Sequence, residues 1–143
     1  MRMTRTPRWK REDGQAFVEM GLVLPVLLLL LLGVIQFGNV FRDYMALTDA
    51  TRVGARQASV ARSVQPASNR IPMVVQKVQN AAINLNTSQL TVTVTPVMAD
   101  GVTPGWQESG DVTVRATYPF QINLFGMVVY KGVIQSRTVE RVE

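Results

Sequence analysis

The sequence contains neither cysteine nor histidine among its 143 residues. Without cysteine the chain forms no disulfide and offers no thiolate nucleophile, and without histidine it lacks the commonest general base. Both absences also remove the ligands that most zinc sites use. A soluble enzyme is therefore an unfavoured class. We expect no catalytic residue, no metal site, no cofactor and no small-molecule substrate.

Charged residues are also missing from a long internal stretch, the 22 residues from Met20 to Phe41. Six consecutive leucines, Leu27–Leu32, lie at its centre. A helix of this length reaches about 33 Å, enough to cross a hydrocarbon core of about 30 Å. A cleavable secretory signal is the competing interpretation, but its apolar region is shorter and ends at a small-x-small site, which Ile35–Asn39 does not provide. We predict a transmembrane helix over residues 15–41.

Basic residues are concentrated before this apolar run. Five of them oppose two acidic residues in the first 13 positions: Arg2, Arg5, Arg8, Lys10 and Arg11. Because basic flanks of a transmembrane helix stay in the cytoplasm, residues 1–14 are predicted to form a cytoplasmic leader. The chain from Arg42 onward is then extracytoplasmic, with a single pass through the inner (cytoplasmic) membrane. Nucleic acid is an unfavoured partner, because its binders concentrate basic residues on a folded face.

A short motif joins the leader to the apolar run. Gly14 ends the hydrophilic leader, and Glu19 is the fifth residue after it. A carboxylate entering hydrocarbon is costly, so Glu19 is a candidate functional residue. The plain alternative places Glu19 in the headgroup zone, where water solvates it.

Leader, glycine and glutamate together resemble the type IV prepilin class. More narrowly, four blocks in order resemble the TadE family, which comprises pseudopilin-like components of the tight adherence (Flp) pilus system. The blocks are Gly14–Glu19, Leu22–Leu28, Gly33–Gly38 and Ala50–Arg56. The resemblance is close over roughly residues 14–61 and is a matter of general pattern beyond them.

The resemblance implies a pseudopilin or minor pilin-like structural component of a Tad pilus or secretion assembly, not an enzyme. Its implied partners are the membrane, other pilin or pseudopilin subunits, the Tad assembly machinery, and a prepilin peptidase that cleaves between Gly14 and Gln15. Glu19 would then neutralise the Gln15 amine of a neighbouring subunit. Met20 stands where Flp-type sites usually carry tyrosine. An unprocessed bitopic scaffold of the cell envelope is therefore the alternative.

Proline and glycine mark positions where this helix can bend or be approached. Pro25 removes a backbone hydrogen bond, so we expect a kink or local loosening there. Gly33 and Gly38 are small positions that let another helix come close, although transmembrane helices also tolerate glycine in general. Gly54 is a further predicted packing position beyond the apolar run.

The helix is predicted to continue outside the membrane, from Tyr44 to Arg62. One narrow face repeats at three- and four-residue steps: Leu47, Ala50, Gly54, Ala58 and Ala61. Small residues there let the helix lie close on a sheet. Four polar residues are predicted to project elsewhere: Asp49, Arg52, Arg56 and Ser59. A solvated face is the favoured interpretation of both arginines, with a partner or lipid phosphates as the alternative.

The remaining chain predicts a second helix and three strands. Pro72 suits the first position of the helix. Alternation of period two predicts a strand over Leu90–Thr95, ended by Pro96, and another over Val112–Tyr118. Lys131–Val142 reads as a third strand. The predicted fold class is α+β and pilin-like: a long transmembrane helix continuing into a small domain, residues 42–143, with a second helix and a three-stranded antiparallel sheet.

An apolar stretch separates the second and third predicted strands. It runs from Phe120 to Tyr130 and contains no charged residue. We expect a hydrophobic connection packed across the sheet. The alternative is an exposed patch for a partner subunit or the outer membrane leaflet.

Overall fold

The computed structural model describes the backbone of residues 11–143 and the side chains from Gly14 onward. Most of the predicted leader, residues 1–10, lies outside the described part. The chain divides into two compact units, Met1–Phe37 and Gly38–Glu143. The helices and strands are α1 Arg11–Ser59, α2 Arg70–Ala81, β1 Thr91–Val97, β2 Asp111–Leu124 and β3 Met127–Arg141. The predicted α+β class is confirmed, and the predicted domain boundaries stay predictions.

Helix α1 is one continuous α-helix of 49 residues that includes Pro25. The leucines of the apolar run are strong helix formers, and their side chains cannot compete for the hydrogen bonds of the backbone. The helix ends at Ser59, and two single 3₁₀ turns, Ala61–Ser63 and Ala67–Asn69, follow it. This end comes three residues before the predicted end at Arg62. The kink expected at Pro25 stays a prediction.

The C-terminal part of α1 packs into the core of the second unit. The predicted inner face is confirmed, because all five of its members are buried: Leu47, Ala50, Gly54, Ala58 and Ala61. Ser59 was predicted to project elsewhere, and that prediction is wrong. Its side chain is buried and donates to the Arg56 carbonyl at 2.9 Å. A serine that bonds to its own helix needs no water, so it can face the core.

Helix α2 closes one side of this core with Val74 and Val78, both fully buried. It begins at Arg70, two residues before the predicted start at Pro72. Proline is tolerated at this third position because the first N–H groups of a helix have no intrahelical acceptor.

The sheet is antiparallel with strand order β1-β2-β3. Strand β1 pairs with β2 from Thr91 opposite Thr117 to Val97 opposite Asp111. The prediction that Pro96 ends this strand is wrong, because Pro96 pairs with Val112 inside it. Proline needs no donor here, since β1 is an edge strand.

Strands β2 and β3 form a hairpin much longer than predicted. The stretch from Phe120 to Tyr130 is not a connection across the sheet, as we expected, but the paired end of both strands and their turn. Strand β3 accordingly begins at Met127 rather than at Lys131. The two turn residues, Phe125 and Gly126, have φ angles of 51° and 83°. Positive φ at both positions is typical of the tight turn that suits the right-handed twist of a hairpin.

Candidate functional site

The N-terminal half of α1 is apolar on all sides and exposed. Apart from the half-buried Leu32, the large apolar side chains from Phe17 to Phe37 are between 46% and 74% exposed. In the described part of the chain, one helix is long and apolar enough to cross a membrane, and it runs from Gly14 to Ser59. A helix with no polar face satisfies its backbone internally and leaves its side chains to an apolar surrounding, which a bilayer provides.

The predicted cleavage site lies in the first turn of this helix. Because α1 begins at Arg11, both Gly14 and Gln15 are helical. The space beside Gly14 is open, with no heavy atom within 4 Å of the position where a Cβ would lie. A protease that binds extended backbone would have to unwind this turn. The cost is small, because the first four N–H groups of a helix have no intrahelical partner.

Glu19 lies one helical turn after Gln15, on the same face. Its Oε1 atom accepts a hydrogen bond from Gln15 Nε2 at 3.1 Å, and both side chains are exposed. The spacing of four residues is what brings the two side chains together. Chemically, the pair presents a carboxylate with free lone pairs beside the residue that cleavage would turn into an amino terminus.

The four predicted packing positions fall into two environments. Pro25, Gly33 and Gly38 are exposed, and an added Cβ at either glycine would meet nothing within 4 Å. These positions lie on helix surface that is free for another chain. Gly54 differs, because a Cβ there would lie 2.2 Å from Val78 Cγ2, so the glycine permits close packing of α1 on α2.

The polar face of α1 is exposed in the second unit, as the sequence suggested. Arg52 and Arg56 are both exposed, and Arg52 forms an ion pair with Asp49 at 3.6 Å. Both members of that pair are about two-thirds exposed, so water and salt screen it strongly. This face therefore adds little to the stability of the helix.

Sequence reasoning missed three polar contacts that fix α1 on the rest of its unit. Thr51 and Ser136 share a buried hydrogen bond of 2.9 Å between their hydroxyls. Trp106 donates from Nε1 to the Ala58 carbonyl at 3.0 Å, and the Glu143 amide donates to the Ser59 carbonyl. These pairs are more than 45 residues apart in sequence, so no local signal announces them.

The loop between β1 and β2 is organised by Asp100. Its carboxylate accepts hydrogen bonds from the Thr103 hydroxyl and from the amides of Val102 and Thr103, each amide at 2.9 Å. These bonds, the hydroxyl first, lower the pKa of Asp100 below its ordinary value. An ionised carboxylate therefore holds the turn.

The fold and the apolar helix together define a class of protein. A long apolar N-terminal helix, a second helix and a three-stranded antiparallel sheet make a pilin-like α+β arrangement, consistent with a single-pass membrane protein. Residues 14–56 match the family model of TadE-like proteins, so this part of the chain is a TadE-like domain. The matched residues all lie in α1. Neither the curated proteins nor the solved structures compared with the chain gave a match.

Proposed function

We propose that the protein is a membrane-anchored pseudopilin or minor pilin-like structural component of a Tad (Flp) pilus or secretion assembly. One observation carries the proposal: the TadE-like domain coincides with the helix whose apolar side chains lie exposed. TadE-like proteins are pilus assembly proteins and generally not enzymes. The proposed role is accordingly assembly, with no reaction catalysed.

The proposed topology follows from charge and helix length. The basic residues before the apolar run hold the amino terminus in the cytoplasm, and the run crosses the inner membrane once. The packed unit from Gly38 to Glu143 is then extracytoplasmic. A reporter enzyme fused after Glu143 is expected to be active only outside the cytoplasm. Activity only inside it would overturn the pilin-like proposal.

The proposed processing step is cleavage between Gly14 and Gln15 by a prepilin peptidase. Open space beside Gly14 supports access of the protease to the backbone. Cleavage would leave Gln15 with a free α-amine at the start of the helix. Glu19 would then lie at the end of the first turn, where the partial positive charge of the helix terminus favours a carboxylate.

The proposed assembly step pairs Glu19 with the Gln15 amine of a neighbouring subunit. The hydrogen bond from Gln15 Nε2 already holds the carboxylate on the face where the new terminus would lie. In the apolar centre of an assembly, either charge alone is costly to bury. Removing one partner of a buried pair costs about 3–5 kcal/mol, since the other charge stays uncompensated.

Two substitutions separate processing from assembly. Gly14→Arg should block cleavage, because a long charged side chain cannot occupy a site shaped for close backbone approach, whereas Gly14→Ala should be cleaved. Glu19→Ala should be cleaved normally but should fail to assemble. Glu12→Ala is the matched control for Glu19→Ala, because it removes a carboxylate from the segment that cleavage discards. Intact mass reports loss of residues 1–14, and co-purification with a tagged second copy reports assembly.

The outcomes distinguish the pilin-like proposal from its alternative. A wild-type chain that keeps its first 14 residues in cells with an active prepilin peptidase would favour the unprocessed bitopic scaffold. Normal assembly of Glu19→Ala would refute the charge pair even if cleavage occurs, and would leave Glu19 as a residue of the headgroup zone.

A further inference from the structure

The hairpin formed by β2 and β3 ends in an apolar tip, which we define as residues 120–133. Six of its large apolar side chains are between 47% and 76% exposed: Phe125, Met127, Val128, Val129, Tyr130 and Val133. The pairing of β1 with β2 stops at Thr117, so the hairpin tip is a ribbon of two strands only. A two-stranded ribbon is at best marginally stable in water. An apolar patch of this kind indicates a surface that something covers.

The direction of the hairpin tip follows from two contacts of α1. Thr51 bonds to Ser136, and Ser59 bonds to the Glu143 amide, so β3 and α1 advance in the same sense. The hairpin tip, which precedes Ser136, therefore points toward the end of this unit at which α1 enters. That end begins at Gly38.

The same contacts give the reach of the hairpin tip. From Thr51 to Ser59 the helix rises about 12 Å, while β3 extends about 23 Å from Ser136 to Glu143. Each residue of β3 thus advances about 1.7 Å along α1. Met127 precedes Ser136 by about nine residues, which corresponds to about 15 Å along the axis of α1. That distance equals about ten helical residues, counted from Thr51 toward the amino terminus. Extended at this rate, the turn end of the hairpin tip lies about level with Phe41, the last residue of the charge-free run.

The charge of the hairpin fits a lipid surface. Residues 112–139 contain no aspartate or glutamate, and their charged side chains are Arg115, Lys131 and Arg137. Within the hairpin tip, Lys131 follows the exposed aromatic Tyr130. Aromatic residues prefer the headgroup level of a bilayer, and lysine can place its ammonium at lipid phosphates while its stem lies in apolar surroundings.

We propose that the hairpin tip inserts into the headgroup and upper acyl region of the bilayer that holds the N-terminal helix. It gives the extracytoplasmic unit a second membrane contact and fixes the unit's tilt against the membrane surface. The inference rests on the proposed function only in requiring that the apolar run spans the membrane. The exposure, direction and reach of the hairpin tip favour the lipid bilayer as its binding partner. The absence of acidic residues from the hairpin favours the same partner.

The absence of cysteine allows a direct test on the full chain. Single cysteines at Val129, Val102 and Leu30 each receive an environment-sensitive fluorophore, and each variant is reconstituted at one chain per vesicle. The vesicles contain phosphatidylethanolamine and phosphatidylglycerol with a fraction of lipid whose acyl chain carries a nitroxide, near its headgroup end in one set of vesicles and near its methyl end in a second set. Nitroxide quenching of the fluorophore measures its depth.

Val102→Cys is the matched control, because it makes the same change at a site that is 82% exposed. This site lies in the loop between β1 and β2, at the end of the sheet away from the hairpin tip. We expect quenching at Val129→Cys to exceed that at Val102→Cys several-fold. Lys131→Glu should reduce quenching at Val129→Cys, and the reduction should be larger when phosphatidylglycerol is present.

Leu30→Cys separates this inference from the proposed function, because it lies at the centre of the apolar run. If Leu30→Cys is not quenched by the nitroxide near the methyl end, the span itself is wrong. If Leu30→Cys is quenched while Val129→Cys is as weakly quenched as Val102→Cys, the membrane contact of the hairpin tip is refuted. Disulfide formation between two unlabelled Val129→Cys chains at higher protein density, together with weak lipid quenching of the labelled chain, would identify a second copy as the occupant instead.

Discussion

Replacing Gly54 with alanine tests whether α1 owes its close approach to the core to this one residue. The new methyl group would lie 2.2 Å from Val78 Cγ2 and 3.6 Å from Val114 Cγ1. Carbon atoms in contact prefer about 3.5–4.0 Å, so Val78 or the whole helix has to retreat by more than about 1 Å. Val78 is fully buried, and a valine in a helix has one strongly preferred rotamer. The core therefore has to expand.

The size of the effect follows from two opposing terms. Overpacking a core typically costs about 1–3 kcal/mol. Alanine is favoured over glycine inside a helix by about 1 kcal/mol. We expect Gly54→Ala to lower the free energy of unfolding of the unit Gly38–Glu143 by up to about 2 kcal/mol. In a Val78→Ala background the clash is gone, so the same substitution should raise that free energy by about 1 kcal/mol.

Urea unfolding in detergent micelles measures these changes, followed by the fluorescence of Trp106 in a Trp9→Phe background. Trp106 is a suitable reporter because its indole bonds to the Ala58 carbonyl of α1. Gly38→Ala, in the same helix with nothing within 4 Å, is the matched control and should not lower the stability. The packing argument fails if Gly54→Ala lowers stability equally in both backgrounds, or if it behaves like Gly38→Ala.

Two further predictions concern polar contacts. Thr51→Val should lower the free energy of unfolding by about 1–2 kcal/mol, because it leaves the buried Ser136 hydroxyl without its partner, and adding Ser136→Ala should restore part of the loss in the same urea assay. Hydrogen bonds from Thr103 and Val102 lower the pKa of Asp100. Ionised Asp100 therefore stabilises the loop fully at a pH above the ordinary carboxyl pKa, and this stabilisation is lost as the pH falls through the lowered pKa. Amide exchange at Thr103 should accelerate over that acidic range in the wild type, relative to its intrinsic rate, but not in Asp100→Asn; identical profiles would contradict the assignment.

Local sequence patterns predict much of the secondary structure and the buried helix face of this protein. A charge-free run of sufficient length predicts a spanning helix, because backbone groups in hydrocarbon must bond within their own segment. The step of three or four residues from Leu47 to Ala61 correctly predicts the buried face of α1, and alternation of period two identifies β1 and the first half of β2. The TadE-like blocks and the Gly14–Glu19 motif are likewise contiguous stretches of sequence.

Other features depend on residues that only folding brings together. Ser59 faces the core because a bond to its own helix satisfies its hydroxyl, and Thr51 finds Ser136 across 85 residues of sequence. The length of the hairpin was misjudged because an apolar stretch with a single glycine reads equally well as a buried connection or as two paired strands. Pairing between β2 and β3 decided the matter, since opposite residues bond across the turn at Phe125 and Gly126. The direction of the apolar hairpin tip also follows from tertiary contacts alone. It is set by the contacts of Thr51 with Ser136 and of Ser59 with Glu143. A sequence pattern does not show which distant residues will meet.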